Sequence, residues 1–228
     1  MNPAIPPCPV HVDPRRRDHF SAISHLVGAA LSVIALLVLV ILAAERATAW
    51  HVVGFSVFGA SLILMYLASS FYHLAPNPSK VRRVLRRLDH IMIYVQIAGT
   101  YTPVCLTVLR GGWGWSLLGV VWAIALWGII VKGAWLKIPR VVSTLSYLIM
   151  GWLIVIAIYP LAKAVPAGGL WWMAGAGFFY STGVIFYTLD KKFPSSGWFN
   201  FHDVFHLFIL GGSFCFFWMM FRYLLPPG

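Results

Sequence analysis

The segment FHDVFHLF, residues 201–208, carries His202 and His206 four positions apart. On a helix that spacing puts both imidazoles on one face, about 6 Å apart along the axis. Ser69 and His73 repeat the spacing in SSFYH, and Asp89 stands beside His90 in LDH. Two imidazoles from one helix and one from another make three corners of a tetrahedron. A zinc ion that does chemistry keeps three protein ligands and leaves its fourth place to water. Asp89 is then free to hold that water or take its proton, and Ser69 to orient a ligand or a substrate carbonyl. Two other readings use the same residues: a proton relay, and a hydrogen-bonded histidine network without metal.

These residues need elements that bring them to one depth. The chain has 228 residues, of which 60% are hydrophobic and only 10% charged, with a mean hydropathy of +0.82. A soluble domain carries about a quarter charged residues, so the composition is that of a membrane protein. Stretches free of Asp, Glu, Lys and Arg run over 20–44, 47–79, 90–109, 111–131, 141–162, 164–189 and 204–221. Each can hold the roughly 20 residues a helix needs to cross the hydrocarbon core. Barrel strands would alternate in polarity, and these stretches do not. The expected fold is all-α: a bundle of seven transmembrane helices over residues 20–225, preceded by a Pro-rich, disordered tail over residues 1–19.

Of the seventeen Lys and Arg residues, thirteen fall at one set of ends: Arg15–Arg17, the cluster from Lys80 to Arg87, Lys132, Lys137, Arg140, Lys191 and Lys192. Arg46, Arg110, Lys163 and Arg222 fall at the other. This bias predicts a cytoplasmic N-terminus, an outside C-terminus and a multi-pass protein of the inner (plasma) membrane. The net charge of +11 reads as topology and contact with anionic headgroups, making membrane lipids the expected partners. No soluble basic module offers a face to nucleic acid. Residues 80–87 suggest a short interfacial helix. A 25-residue apolar run argues against a cleaved leader.

With that topology His73, Asp89, His202 and His206, scattered over 134 residues of sequence, all fall at the cytoplasmic ends of their spans. His25 falls there too, as a residue behind the site. His90 is rotated about 100 degrees from Asp89, so the two do not face one point equally. Asp203 reads as a helix cap or lysine partner, and His51 beside Trp50 as part of an interfacial belt with Trp113, Trp115, Trp171, Trp172 and, on the inner side, Trp198. Gly119, Gly128, Gly151, Gly175 and Gly177 are expected where helices approach closely. Cys8, Cys105 and Cys215 suggest neither a disulfide framework nor a CxxC metal site.

The segments SSFYH, LRRLDHIMIYVQIAGTYTP, WAIALWGIIVK, SYLIMGW and GVIFYTLDKKFP through FHDVFHLFILGGS resemble the hemolysin III family, the bacterial branch of the progestin and adipoQ receptor (PAQR) family. The match runs from about the first span to the last, and the order SxxxH, LDH, HxxxH is specific in combination. The resemblance implies seven helices with a cytoplasmic N-terminus. It implies zinc on His73, His202 and His206, with Asp89 contacting water at the metal and Ser69 belonging to the same motif. The superfamily includes alkaline ceramidases, which implies a metal-dependent membrane hydrolase. Two departures stand out. Asp18, Ser21, Ser24 and His25 replace a pattern similar to ExxNxxTH, and Phe216 stands where a histidine is expected.

Three functions follow as expectations. The first is a zinc-dependent hydrolase of a lipid amide or ester, with a lipid-like substrate entering from the inner leaflet. The second is a sensor of membrane state with a structural zinc, in which lipid occupancy shifts helix packing. The third is a pore-forming cytolysin, which would need a continuous polar stripe along at least one span. The fourth to sixth spans show no such stripe.

Overall fold

The computed structural model describes residues 19–76, 79–134, 139–192 and 199–227. Residues 1–18 of the expected tail, together with Lys137 and Trp198, lie outside these residues, while its last residue, His19, is the first of a helix. Among them there is no strand; the chain is a succession of helices, the form in which backbone groups can be satisfied inside lipid. They are α1 (His19–Arg46), α2 (Ala49–Leu74), α3 (Lys80–Leu106), α4 (Gly112–Gly133), α5 (Arg140–Trp152), α6 (Ile158–Ala164), α7 (Ala167–Lys192) and α8 (Phe201–Met219). A 3-10 turn, Leu153–Ala157, joins α5 to α6 into one span, and a π turn, Met220–Leu224, extends α8. Among the described residues the bundle therefore has seven spans, as the charge-free stretches predict.

Five of these are long and apolar enough to cross a membrane on composition alone: α1, α2, α4, the α5–α6 rod, and α8 with its π turn. The other two, α3 and α7, have the length but not the hydropathy. The cause in α3 is a row of polar residues, among them Gln96, Thr100 and Thr102, all buried. Ser61 donates to Gln96 Oε1 at 2.7 Å, and Gln96 donates to Thr100 at 3.0 Å. Neighbouring helices take the place of water for these groups. Outside, the apolar residues face lipid: Ile130 is 67% and Ile156 66% exposed, which a soluble protein would bury.

In the bundle α1 packs on α2, α2 on α3, α3 on α5, α5 on α7, α7 on α8 and α8 on α1, so six spans close a ring. The seventh, α4, leans on α3 from outside. Its buried residues Gly114, Leu117, Val121, Ala125 and Gly128 recur every three or four positions and form one stripe. Gly128 needs its missing side chain, since a Cβ there would lie 2.6 Å from the Tyr94 ring. The other glycines expected at close approaches are not so constrained. Gly119 and Gly151 face open space, and Gly175 and Gly177 leave ordinary van der Waals room.

Residues 80–87 form no separate interfacial helix. Ser79 caps their first turn by accepting from Arg82 N at 3.0 Å, and they run straight into α3. The break between α5 and α6 was not foreseen. Pro160 lacks an N–H and its ring crowds the carbonyl of Ile156. Tyr101 of α3 repairs the damage: its hydroxyl lies 2.9 Å from Met150 O and 2.8 Å from Gly151 O, and accepts from Ile154 N at 2.8 Å. Such irregular backbone survives at membrane depth only where protein satisfies it.

Candidate metal centre

The start of α8 is held by three contacts. Asn200 Oδ1 accepts from Asp203 N at 3.0 Å, and Asp203 Oδ2 accepts from Asn200 N at 3.0 Å, a reciprocal capping box. Asp190, near the end of α7, accepts from His202 N at 3.3 Å. Asp203 also receives the Ser21 hydroxyl of α1 at 2.7 Å across 182 residues of sequence. The cap expected of Asp203 is present, and it additionally ties α1 to α8 at the level of the histidines. Ser70 Oγ to Ala22 O, 2.5 Å, ties α1 to α2 at the same level.

Held this way, α8 presents His202 and His206 to His73 of α2. His202 Nε2 lies 3.3 Å from His73 Nε2 and 3.2 Å from His206 Nε2. The three side chains offer one ligand atom each, all within 4.8 Å of one another. A tetrahedral ion with Zn–N bonds of about 2.0–2.1 Å separates its nitrogens by about 3.3–3.4 Å. Hydrogen bonding fits the geometry less well. An imidazole Nε2 has either one proton or one lone pair, so His202 Nε2 cannot bond fully to both neighbours at once. The residues present thus fit a metal ion.

Ser69, one turn before His73, is 2% exposed and lines the same cavity as the histidines. Asp89 lines it too, with its carboxylate 3.6 Å from His90 Nδ1. His90 lies on the cavity wall as well, so the expected divergence of Asp89 and His90 does not exclude either. His90 Nδ1 also meets Arg86 O at 2.7 Å, and His90 O accepts from Tyr147 at 2.9 Å. His25 is 3% exposed, and its ring centroid lies 3.8 Å from that of His206. It stands behind the cluster, where the sequence put it. Both of its ring nitrogens, and His206 Nδ1, are buried without a hydrogen-bond partner among the described residues.

The cavity measures about 830 Å³ and runs inside the ring of spans. Its wall takes in Asp190 and Leu170 at opposite ends of α7. Twenty residues of helix rise about 30 Å, close to the thickness of the hydrocarbon core. Near the histidines the wall is polar. Beyond them apolar residues such as Ile154, Ile158, Leu161 and Met173 predominate, with Gln96, Thr100, Tyr101 and Ser181 among them. Phe216, in place of the expected histidine, adds to that apolar wall and stacks on Tyr180 with centroids 6.2 Å apart. Sequence reasoning missed Lys132, Arg140 and Tyr187 as cavity residues. Their charge or aromaticity was visible, but not the side of the helix that faces inward.

Comparison with known proteins supplies the family. A family model described as "Haemolysin-III related" matches residues 15–217. A Bacillus cereus protein named "Hemolysin-3" is 45% identical over 206 residues, covering 90% of this chain and 91% of its own length. A Bacillus subtilis (strain 168) protein named "Hemolysin-3 homolog" is 41% identical over 203 residues, covering 89% and 92%. Seven helical spans, and a match that extends over nearly all of them, make this chain a multi-pass membrane protein that belongs to the haemolysin-III related family.

Proposed function

We propose that the protein is a zinc-dependent hydrolase of a lipid amide or ester, with the ion on His73, His202 and His206. The observation that carries this reading is the convergence of three histidine ligand atoms on a cavity whose lining is in large part apolar. Zinc bound there supplies a Lewis acid for the scissile carbonyl and lowers the pKa of water towards neutrality. The chain's own residues do the rest. Asp89 takes a proton from the attacking water and delivers it to the leaving amine or alcohol. Ser69 orients the carbonyl. The apolar wall holds the acyl chain and excludes water from the bond being cut.

The names of the relatives point to haemolysis. A pore needs a continuous polar path; here Gln96, Thr100, Tyr101 and Ser181 lie among apolar wall residues, and a pore gives no role to three histidines that fit a metal, so the hydrolase reading is preferred. The test is the zinc-to-protein ratio of the purified protein, followed by a screen of acyl amides and esters. The reading expects a ratio near one that collapses in a His202→Ala, His206→Ala variant, and turnover that Asp89→Asn removes. No zinc in either protein after incubation with the metal would end it.

A further inference from the structure

The cavity mouth carries more positive charge than topology requires. Arg83, Arg86, Arg87, Lys132 and Arg140 line it, from α3, α4 and α5, against two carboxylates, Asp89 and Asp190. A bias of charge between membrane faces places these residues at one end of the bundle. It does not ask them to face inward. The carboxylates are already engaged, Asp89 by His90 at 3.6 Å and Asp190 by the His202 backbone at 3.3 Å. Among the described residues no carboxylate lies within ion-pair distance of Arg86, Lys132 or Arg140. Lys132 is turned inward by its bond to Ser143, 2.5 Å, and Arg140 lies 5.5 Å from the centre of the Tyr187 ring. Three cations from three helices thus line one mouth with the candidate metal centre, where Asp89 and Asp190 are the carboxylates that share the wall, and an anion held there would offset their mutual repulsion.

We propose that the cavity's ligand is an amphiphile with a phosphate-class anionic head and one long apolar chain. The head sits among Arg86, Lys132 and Arg140. The chain runs past the histidines into the wall formed by Ile154, Ile158, Leu161 and Met173. This names the substrate class of the proposed hydrolase and rests on that reading for the bond that is cut; the binding itself does not need the metal. A neutral lipid of the same chain fills the apolar wall but adds no anion to a mouth in which cations outnumber carboxylates.

The test is isothermal titration of the full chain in neutral phosphatidylcholine nanodiscs. The probes are oleoyl lysophosphatidic acid, monooleoylglycerol and inorganic phosphate. The phosphate-bearing lipid is expected to bind about tenfold or more tighter than the neutral one. Arg140→Gln and Lys132→Gln should each reduce that preference by about tenfold, while monooleoylglycerol binding is kept. Arg140→Lys should retain most of it, which separates charge from packing. Lys80→Gln, a basic residue outside the cavity wall, should change nothing. Equal binding of the two lipids overturns the proposal. So does an equal loss in Lys80→Gln, which would mean general surface charge, and so does inorganic phosphate binding as tightly as the lipid, which would mean a site for free phosphate. Zinc content measured on the same samples keeps the two readings apart. Zinc without head-charge preference sinks this proposal alone, and preference without zinc sinks the hydrolase alone.

Discussion

His202 is the hinge residue of the candidate centre because its Nε2 meets two other imidazole nitrogens within 3.3 Å. Removing one ligand of three leaves two buried imidazoles and an incomplete shell. His202→Ala is therefore expected to take the zinc-to-protein ratio from near one to near zero, read by elemental analysis. Asp89 differs, since it holds no metal in the proposed arrangement. Asp89→Asn should keep the zinc ratio and lower turnover by about 10²- to 10⁴-fold, the usual worth of a positioned acid–base group. A variant that lost zinc as well would show that the carboxylate is a ligand. The four-residue spacing of His202 and His206 was legible in the sequence because helix geometry alone fixes a shared face. The contact of the His25 ring with His206, by contrast, depends on how α1 leans against α8.

At the scale of elements, two devices hold the site in place. The first is the Asn200–Asp203 capping box with its Ser21 clasp. Asp203→Ala removes its half of the capping box and the tie to α1 together. It is expected to destabilise the fold by about 1–2 kcal/mol, seen as a lower melting temperature in detergent, and to weaken zinc retention, whereas Ser21→Ala should do less of both. The second is the Tyr101 hydroxyl at the break between α5 and α6. Tyr101→Phe strands backbone groups in the interior, at a cost of about 1–3 kcal/mol. Hydrogen exchange should rise around residues 150–157 and not in α2. The capping box could be read from the order of Asn200 and Asp203. The break was not: Pro160 stands in plain view, but the residue that repairs the break lies about fifty positions away on α3.

For the whole molecule, the ring of six spans gathers groups from distant segments around one interior, and a ligand bound there should hold the ring together. A metal bound only by the folded state adds stability by mass action, about 2.7 kcal/mol when its free concentration is a hundredfold above Kd. Chelation should thus lower the melting temperature of the native protein and leave the His202→Ala, His206→Ala variant unmoved. Equal sensitivity of the two would mean that the chelator acts elsewhere.

The sequence by itself determined the class of the protein, the number of its spans and the ends at which they carry charge. Those follow from hydropathy and helix rise, which are local properties summed along the chain. It also determined which four polar residues share a depth, because depth is position along a span. Tertiary structure alone decided rotation. Only the packing of the spans shows that Lys132 and Arg140 face inward, that α4 stands outside the ring, and that His73 of α2 meets α8. Each helix here is apolar on nearly every side, so its own sequence does not say which side faces lipid and which faces the cavity. Neighbours settle that, through contacts such as Ser21 with Asp203 and Gly128 against Tyr94.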